Sequence, residues 1–499
     1  MSDNISTRRL RRALKVRETA FLPVGPSAGA MLAELEPGVE VVYLVGVSPA
    51  SWLTWALTGL PDGWTPGSHY LEATAPVLRY RGPDGRKVEM HRAAQWFGPG
   101  DYSAYDADTA WAFLKVAVST EFRDATLLAT PATTARELFL RTIPYGREWP
   151  VLSGDLQDLI RSTSGQGRTE VVHSPDDHEH WLAKGRYGAL SELPALFEYD
   201  GRLMYAALCW GLPMGVPSWD AVDDYAGQTR GRYRVRVTVP RDWMETFGLV
   251  GVKRDDGSRL WEYPAERGRT FSTWCDGAEL QIVLRAGWDV RILERLLWAD
   301  GPGRGPLDTW SQKLVTVRNG LEANGRNHPD YADISRLAAY GVRALLLHGI
   351  GSFHGRPHTV TQYRRTDDPG TIPAGATNVR LEGDWIVYTV ATADTLDTAT
   401  PDTSWRARLS HPEWSAAIWA RARARLVSGP QSTGALNRTA GEVVGFRTDA
   451  IYFTARQDWP DDNRPGRMRL KRALTEGPYP WPASGRELVE LRERGQVIA

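Results

Sequence analysis

Phe197-Glu198-Tyr199-Asp200-Gly201-Arg202-Leu203-Met204-Tyr205-Ala206-Ala207 is the stretch on which the reading of this chain turns. Ala195 to Tyr199 reads as a short apolar strand, and Asp200 ends it. A carboxylate at the end of a buried strand is costly unless something neutralises it, and a divalent cation does so while creating a Lewis acid. A second acid stands in the same setting. Glu442 to Arg456 reads strand, turn, strand, with Asp449 at the turn of Val443-Val444-Gly445-Phe446-Arg447-Thr448-Asp449-Ala450-Ile451-Tyr452-Phe453-Thr454. Two such carboxylates, brought together from different strands, are the minimum for a site holding two metal ions about 3.5 to 4 Å apart.

The rest of the sequence narrows the chemistry by exclusion. The chain has 499 residues, enough for about three domains with a substantial core. Two cysteines, Cys209 and Cys275, are too few for a cysteine-built zinc or iron–sulfur site and fit a reducing cytoplasm. No Gly-Lys dipeptide exists for a P-loop, no glycine-rich fingerprint follows a strand, and no His-Glu-x-x-His occurs. Sixty basic residues balance sixty acidic ones, so a nucleic-acid site has to be a local basic channel. Only seven of the basic residues are lysines; the rest are arginines, whose forked guanidinium suits phosphate. No apolar run approaches the length of a membrane span, and the arginine-rich start has no apolar core of a signal peptide, which points to a soluble, cytoplasmic protein. Arg8, Arg9, Arg11, Arg12 and Lys15 can form a basic arm, and His173, His178 and His180 with Asp176, Asp177 and Glu179 form a loop rich in metal-ligand types. The 21 tryptophans and 18 tyrosines suit stacking on sugars, but core packing accounts for most of them.

Along the chain, residues 1 to about 140 read as mixed α/β, with strands near Val39 to Val47 and Val77 to Tyr80 and a helix near Asp108 to Val118. A loop with Pro144, Gly146 and Pro150 precedes a helix, Ser153 to Ser162. Tyr233 to Val239 alternates as a half-buried strand and is expected to put Arg232, Arg234 and Arg236 on one solvent face. Leu307 to Gly355 is helical around a polar loop, Asn324 to Asp330, and Arg336 and Arg343 project in one direction two turns apart. A further helix, Glu413 to Val427, is expected to turn Trp414, Ile418, Trp419 and Ala422 inward and its arginines outward.

At this point the order of motifs resembles that of family B DNA polymerases, especially the small protein-primed branch. Asp200-x-x-x-Met204-Tyr205 is similar to the family's first motif, Asp-x-x-Ser-Leu-Tyr-Pro, where the Asp holds both metals and the Tyr blocks a ribose 2′-hydroxyl. Gly351-Ser352-Phe353-His354-Gly355 is similar to the fingers motif Asn-Ser-x-Tyr-Gly. Thr448-Asp449-Ala450-Ile451 resembles the end of the third motif, Asp-Thr-Asp-Ser-Ile, whose second Asp is the other metal ligand. Gly165-Gln166-Gly167-Arg168 resembles the Gly-Gly turn that touches template, and Lys471 stands in the place of a late lysine that contacts the primer terminus. These motifs cover about residues 150 to 480.

The departures are as informative. Gly351 and His354 replace the Asn and Tyr of the fingers motif, Leu347 stands where the family keeps a triphosphate-binding lysine, Arg447 replaces the first Asp of the third motif, and Ala473 replaces the late Tyr. Arg343 and Arg336 are candidates to reach the triphosphate instead. No Asp-x-Glu pair occurs before residue 150, so the exonuclease metals have no ligands there, although Tyr102-x-x-x-Asp106 resembles the third exonuclease motif.

The resemblance implies an α+β right-hand polymerase with palm, fingers and small thumb behind an N-terminal degenerate ribonuclease-H-like exonuclease domain. Its expected parts are residues 1–145 (exonuclease-like), 146–300 and 361–455 (palm), 301–360 (fingers) and 456–499 (thumb). It implies template-directed transfer of dNTP to a primer 3′-hydroxyl without proofreading. Mg²⁺ or Mn²⁺ would sit on Asp200 and Asp449, nucleotide on Tyr205, Arg336, Arg343, Ser352 and His354, and DNA on Gly165, Gly167, Arg168 and Lys471. Expected partners are primer-template DNA, dNTP and a priming protein, around a monomer encoded by a bacterial virus or mobile element and working in the host cytoplasm. The alternative is a catalytically inactive polymerase-like DNA-binding or replication-accessory protein, motivated by Leu347 and Arg447.

Overall fold

The computed structural model describes residues 17–67, 76–144, 149–172, 192–220, 230–254, 261–299, 305–355, 359–366, 372–373, 375–382, 385–391, 409–460 and 464–498. The His173–His180 loop and the basic arm before residue 17 lie outside them. The chain forms two compact units, each from two segments: residues 1–147 with 312–410, and residues 148–311 with 411–499. The division at residue 410 runs through the expected second palm segment, 361–455.

The first unit is built on a five-stranded sheet in the order Glu18–Pro23, Val39–Val45, Lys87–Arg92, Val77–Arg81, Thr65–Pro66. Its first two pairings are parallel and its last two antiparallel. Val39–Val45 is almost entirely buried because both faces of the sheet are covered. One face packs on Met31, Leu32, Trp52 and Trp55. On the other, Phe21 stacks on Tyr43 at 4.8 Å and Trp111 lies 5.2 Å from Tyr43.

Trp111 belongs to the helix Ala104–Glu121, which begins with a capping box between Ser103 and Asp106. Asp106 accepts from the Ser103 backbone and hydroxyl, bonds that hold its pKa low. A helix cap therefore accounts for the acid of Tyr102-x-x-x-Asp106 without any nuclease chemistry. The long helix Ala332–Phe353 packs in the same unit, with Phe353 5.1 Å from Phe139 of the helix Pro131–Leu140.

The second unit carries a six-stranded antiparallel sheet in the order Gln496–Val497, Met468–Leu474, Leu196–Gly201, Ala450–Phe453, Val443–Thr448, Arg168–Val171. A second sheet in this unit has four strands, Thr270–Asp276, Gly231–Thr238, Asp289–Leu297 and Ser218–Asp220. Only Arg234 and Arg236 take the solvent face expected of three arginines. Arg232 is buried, because it reaches Asp276 at 3.4 Å and Ser164 at 2.9 Å.

The helix Pro412–Val427 is buried nearly all round, so its arginines do not simply face solvent. Arg423 binds Glu279 at 2.7 Å and donates to the carbonyls of Gly165 and Gln166 at 2.6 and 2.7 Å. A guanidinium has donors enough to satisfy a buried carboxylate and two carbonyls at once. Arg421 likewise donates to the Leu208, Trp210 and Gly211 carbonyls.

Arg423→Ala leaves Glu279 a buried, unpaired charge and should cost about 3 to 5 kcal/mol in urea unfolding, whereas Arg423→Met with Glu279→Leu should cost far less. In the first unit, burial raises the Glu89 pKa, but its hydrogen bond to His91 and the charges of Arg17, His91 and Arg79 outweigh that and bring it from 4.5 to about 2. Folding thus favours the ionised form, so this contribution is whole above about pH 4.5 and is lost as pH falls through about 2. Between those limits wild type should lose about 2 kcal/mol more than Glu89→Gln.

Candidate active site

The site is built around the strand Leu196–Gly201, which pairs with Ala450–Phe453 on one side and Met468–Leu474 on the other. Asp200 lies opposite Ala450, and the Gly201 N–H donates to the Asp449 carbonyl at 3.0 Å. The two aspartates are therefore backbone neighbours at one end of the sheet, Asp200 on its strand and Asp449 just before the adjoining antiparallel strand. Both are buried, at 8% and 6% exposure.

Asp449 owes its position to a tight turn. Arg447 pairs with Ala450, which leaves Thr448 and Asp449 as the two turn residues. Thr448 takes a left-handed φ of 56°. A β-branched residue there is strained by about 1 to 2 kcal/mol, so the surroundings must hold it. They do so at close range. A Cβ on Gly167 would come within 3.0 Å of the Thr448 Cα, and Thr448 Oγ1 donates to Asp449 Oδ1 at 2.9 Å.

Gly167 is thus pressed against the aspartate turn, while Gly165 lies against the Trp261 ring. Arg168 is a correction. Its side chain is fully buried, donates to Glu170 at 3.0 Å, and lies over the rings of Phe446 and Tyr263 at 4.0 and 4.1 Å. Its guanidinium braces the turn internally and is not presented to a phosphate.

Lys471 sits on the third strand of the group. Leu470 pairs with Tyr199 and Arg472 with Glu198, so Lys471 is the extra residue of a β-bulge. A bulge re-aims its side chain. Here the ammonium donates to Asp200 Oδ2 and lies 3.8 Å from Glu198 Oε1. Glu198, two residues before Asp200 and so on the same face, is 3% exposed and binds Arg492 at 2.9 Å. On that face burial raises the Tyr452 pKa, and the Tyr452 hydroxyl is hydrogen-bonded by Arg447. Tyr205 follows on the short helix Met204–Leu208, buried beside the aspartate strand.

Glu198, Arg472 and Arg492 were not singled out in the sequence. The period-2 placement of Glu198 with Asp200 was the available signal; nothing local marks Arg492.

The remaining expected residues belong to the first unit. Arg336 is engaged by Asp333 at 2.8 Å, both exposed. Arg343 donates to the Tyr340 hydroxyl at 3.3 Å and lies over its ring. Ser352 Oγ donates to the Gly349 carbonyl at 2.7 Å, the Ser352 carbonyl accepts from Arg136, and His354 is fully buried.

Among the described residues no group of three or more His, Cys, Asp or Glu side chains is placed to hold a metal. Two carboxylates nonetheless suit Mg²⁺, which keeps waters and is completed by substrate phosphates. Asp200 Oδ1 is buried and has no hydrogen-bond partner among the described residues, an acceptor open to a cation.

No protein-family model and no curated protein matches this sequence. Solved structures do. Phi29 DNA polymerase in an orthorhombic crystal form matches with a TM-score of 0.54 and 14% identity over 90% of this chain and 78% of that one. Its post-translocation binary complex with primer-template DNA gives 0.52 and 13%, and its ternary complex with DNA and incoming nucleotides 0.51 and 13%. The chain has the fold of Phi29 DNA polymerase. That polymerase fold bears out the resemblance read from the ordered motifs. No helix among the described residues is long and apolar enough to cross a membrane.

Gly167→Ala should push the strained Thr448 turn apart and lower stability by about 1 to 3 kcal/mol in denaturant unfolding, with a larger loss for Gly167→Val.

Proposed function

We propose that this chain is a template-directed DNA polymerase without proofreading. The observation that carries this reading is that the Asp200 strand end and the Asp449 turn adjoin at one end of the antiparallel sheet. Asp200 and Asp449 would hold Mg²⁺ or Mn²⁺, which when bound activates the primer 3′-hydroxyl and neutralises the triphosphate. Tyr205 floors the sugar pocket, Gly165 and Gly167 let the template backbone approach the turn, and Lys471 tracks the primer end. Arg343 clamps the triphosphate, with Arg336 and Ser352 completing the nucleotide set; His354, expected among them, is fully buried and takes no part. In this reading the second unit is chiefly the palm and thumb, the helices of residues 308–353 are the fingers, and the N-terminal α/β layer is a ribonuclease-H-like shell without nuclease ligands. Primer-template DNA and dNTP are its partners, a priming protein supplies the starting hydroxyl, and the monomer works in the cytoplasm of a bacterial host.

A second reading, a catalytically silent DNA-binding relative, is favoured by one observation. Asp200 already carries the Lys471 ammonium, and Arg447 shares the ladder row of Asp200 through Ala450.

Primer extension with Mg²⁺ or Mn²⁺ separates them. Extension by wild type should fall more than about a hundredfold in Asp200→Asn and in Asp449→Asn, since even supporting residues of metal sites cost 10- to 100-fold. DNA binding that weakens with salt, without any extension, would leave only the silent reading.

A further inference from the structure

Glu198 has no role in the reading above, yet it is the more buried of the two acids on the central strand, 3% exposed against 8% for Asp200. Its two oxygens face different cations. Oε2 lies 2.9 Å from Arg492 Nε and 3.8 Å from Arg472 Nε, while Oε1 lies 3.8 Å from Lys471 Nζ. Lys471 in turn is hydrogen-bonded to Asp200 Oδ2. One ammonium therefore stands between two carboxylates on the same face, bonded to one and within a short side-chain rotation of the other. The flexible lysine stem permits that rotation, and its place in a bulge keeps it from disturbing the ladder.

A divalent ion arriving on Asp200 repels an ammonium held on the same carboxylate. Lys471 is only 26% exposed at its side chain, so leaving Asp200 without a new acceptor is costly. Glu198 is that acceptor. Arg492 already holds its far oxygen, so the near oxygen is the one that faces the lysine.

We propose that Lys471 is a counter-ion passed between two carboxylates: it covers Asp200 until a divalent cation binds, then moves to Glu198, which makes Glu198 a positioning residue for the lysine. This rests on the two-aspartate reading of the site.

Mn²⁺ binding to the full chain, followed by the electron paramagnetic resonance of free Mn²⁺, tests it without any activity. Lys471→Ala, which removes the competitor, should tighten binding about tenfold, and Glu198→Gln, which strands the lysine on Asp200, should weaken it about as much. In the Lys471→Ala background, Glu198→Gln should change affinity less than about twofold, the non-additivity expected of coupled residues. Equal weakening in both backgrounds would mean that Glu198 acts only through its field, and would overturn the proposal. So would a Lys471→Ala affinity equal to wild type.

Should Glu198→Gln fail to fold, the ¹³Cε signal of Lys471 in the otherwise unaltered chain, assigned with Lys471→Arg, should shift and saturate as Mg²⁺ is added; a signal that stays put overturns the handover. If Asp200→Asn binds Mn²⁺ as tightly as wild type, the two-aspartate reading falls and the handover with it. If Asp200→Asn abolishes binding while Lys471→Ala and Glu198→Gln leave it unchanged, that reading stands and the handover alone is wrong.

Discussion

Two carboxylates buried two residues apart on the middle strand of a sheet must be met by positive charge, and much of the second unit is arranged to bring it. Glu198 and Asp200 share a face with Tyr452, the ladder partner of Glu198, whose apolar cluster includes Leu488 and Leu491. Without compensation each would be several kcal/mol unfavourable. The compensation comes from both later segments of the chain: Lys471 and Arg472 on the neighbouring strand, and Arg492 on the helix Gly485–Arg494. Meeting both acids from one strand requires a register shift, and the bulge at Lys471 provides it. The helix Gly485–Arg494 is thereby tied to the aspartate end of the sheet.

The opposite flank is held by a different charge pattern with the same logic. Arg423 satisfies Glu279 and the Gly165–Gln166 carbonyls, while Arg168 fills the space between Phe446 and Tyr263. Together they fix the turn that confines Thr448. The strain at Thr448 is therefore local to the aspartate turn and borne by buried arginines around it, a distribution common where a side chain must be held in a set direction. An arginine-rich composition serves the interior of this protein as well as any contact with phosphate.

Much of the local structure was legible in the sequence for simple reasons. The strand of Asp200, the hairpin of Asp449 and the long helix ending near Phe353 each carry a clear period or a turn signal. The misreadings share one cause. Arg232 and Arg423 were assigned to solvent because single-sequence periodicity treats every guanidinium as polar, whereas each is buried against groups supplied from elsewhere in the chain, and Arg168, placed on DNA by the motif resemblance, is likewise buried, against Glu170 and the rings of Phe446 and Tyr263. Asp106, read beside Tyr102 as a nuclease-like pair, turned out to close a helix cap three residues away from its partner Ser103.

The sequence alone determined that two strand-end aspartates, a glycine turn and a late lysine follow one another in a fixed order, because strand and turn propensities act over a few residues. It could not say that a glutamate two residues upstream would be buried beneath them, or that an arginine near the C-terminus would reach it. Only the tertiary structure decided that, since the cost of burying a charge depends on which partners the whole fold delivers to within hydrogen-bond distance, and those partners lie hundreds of residues apart along the chain.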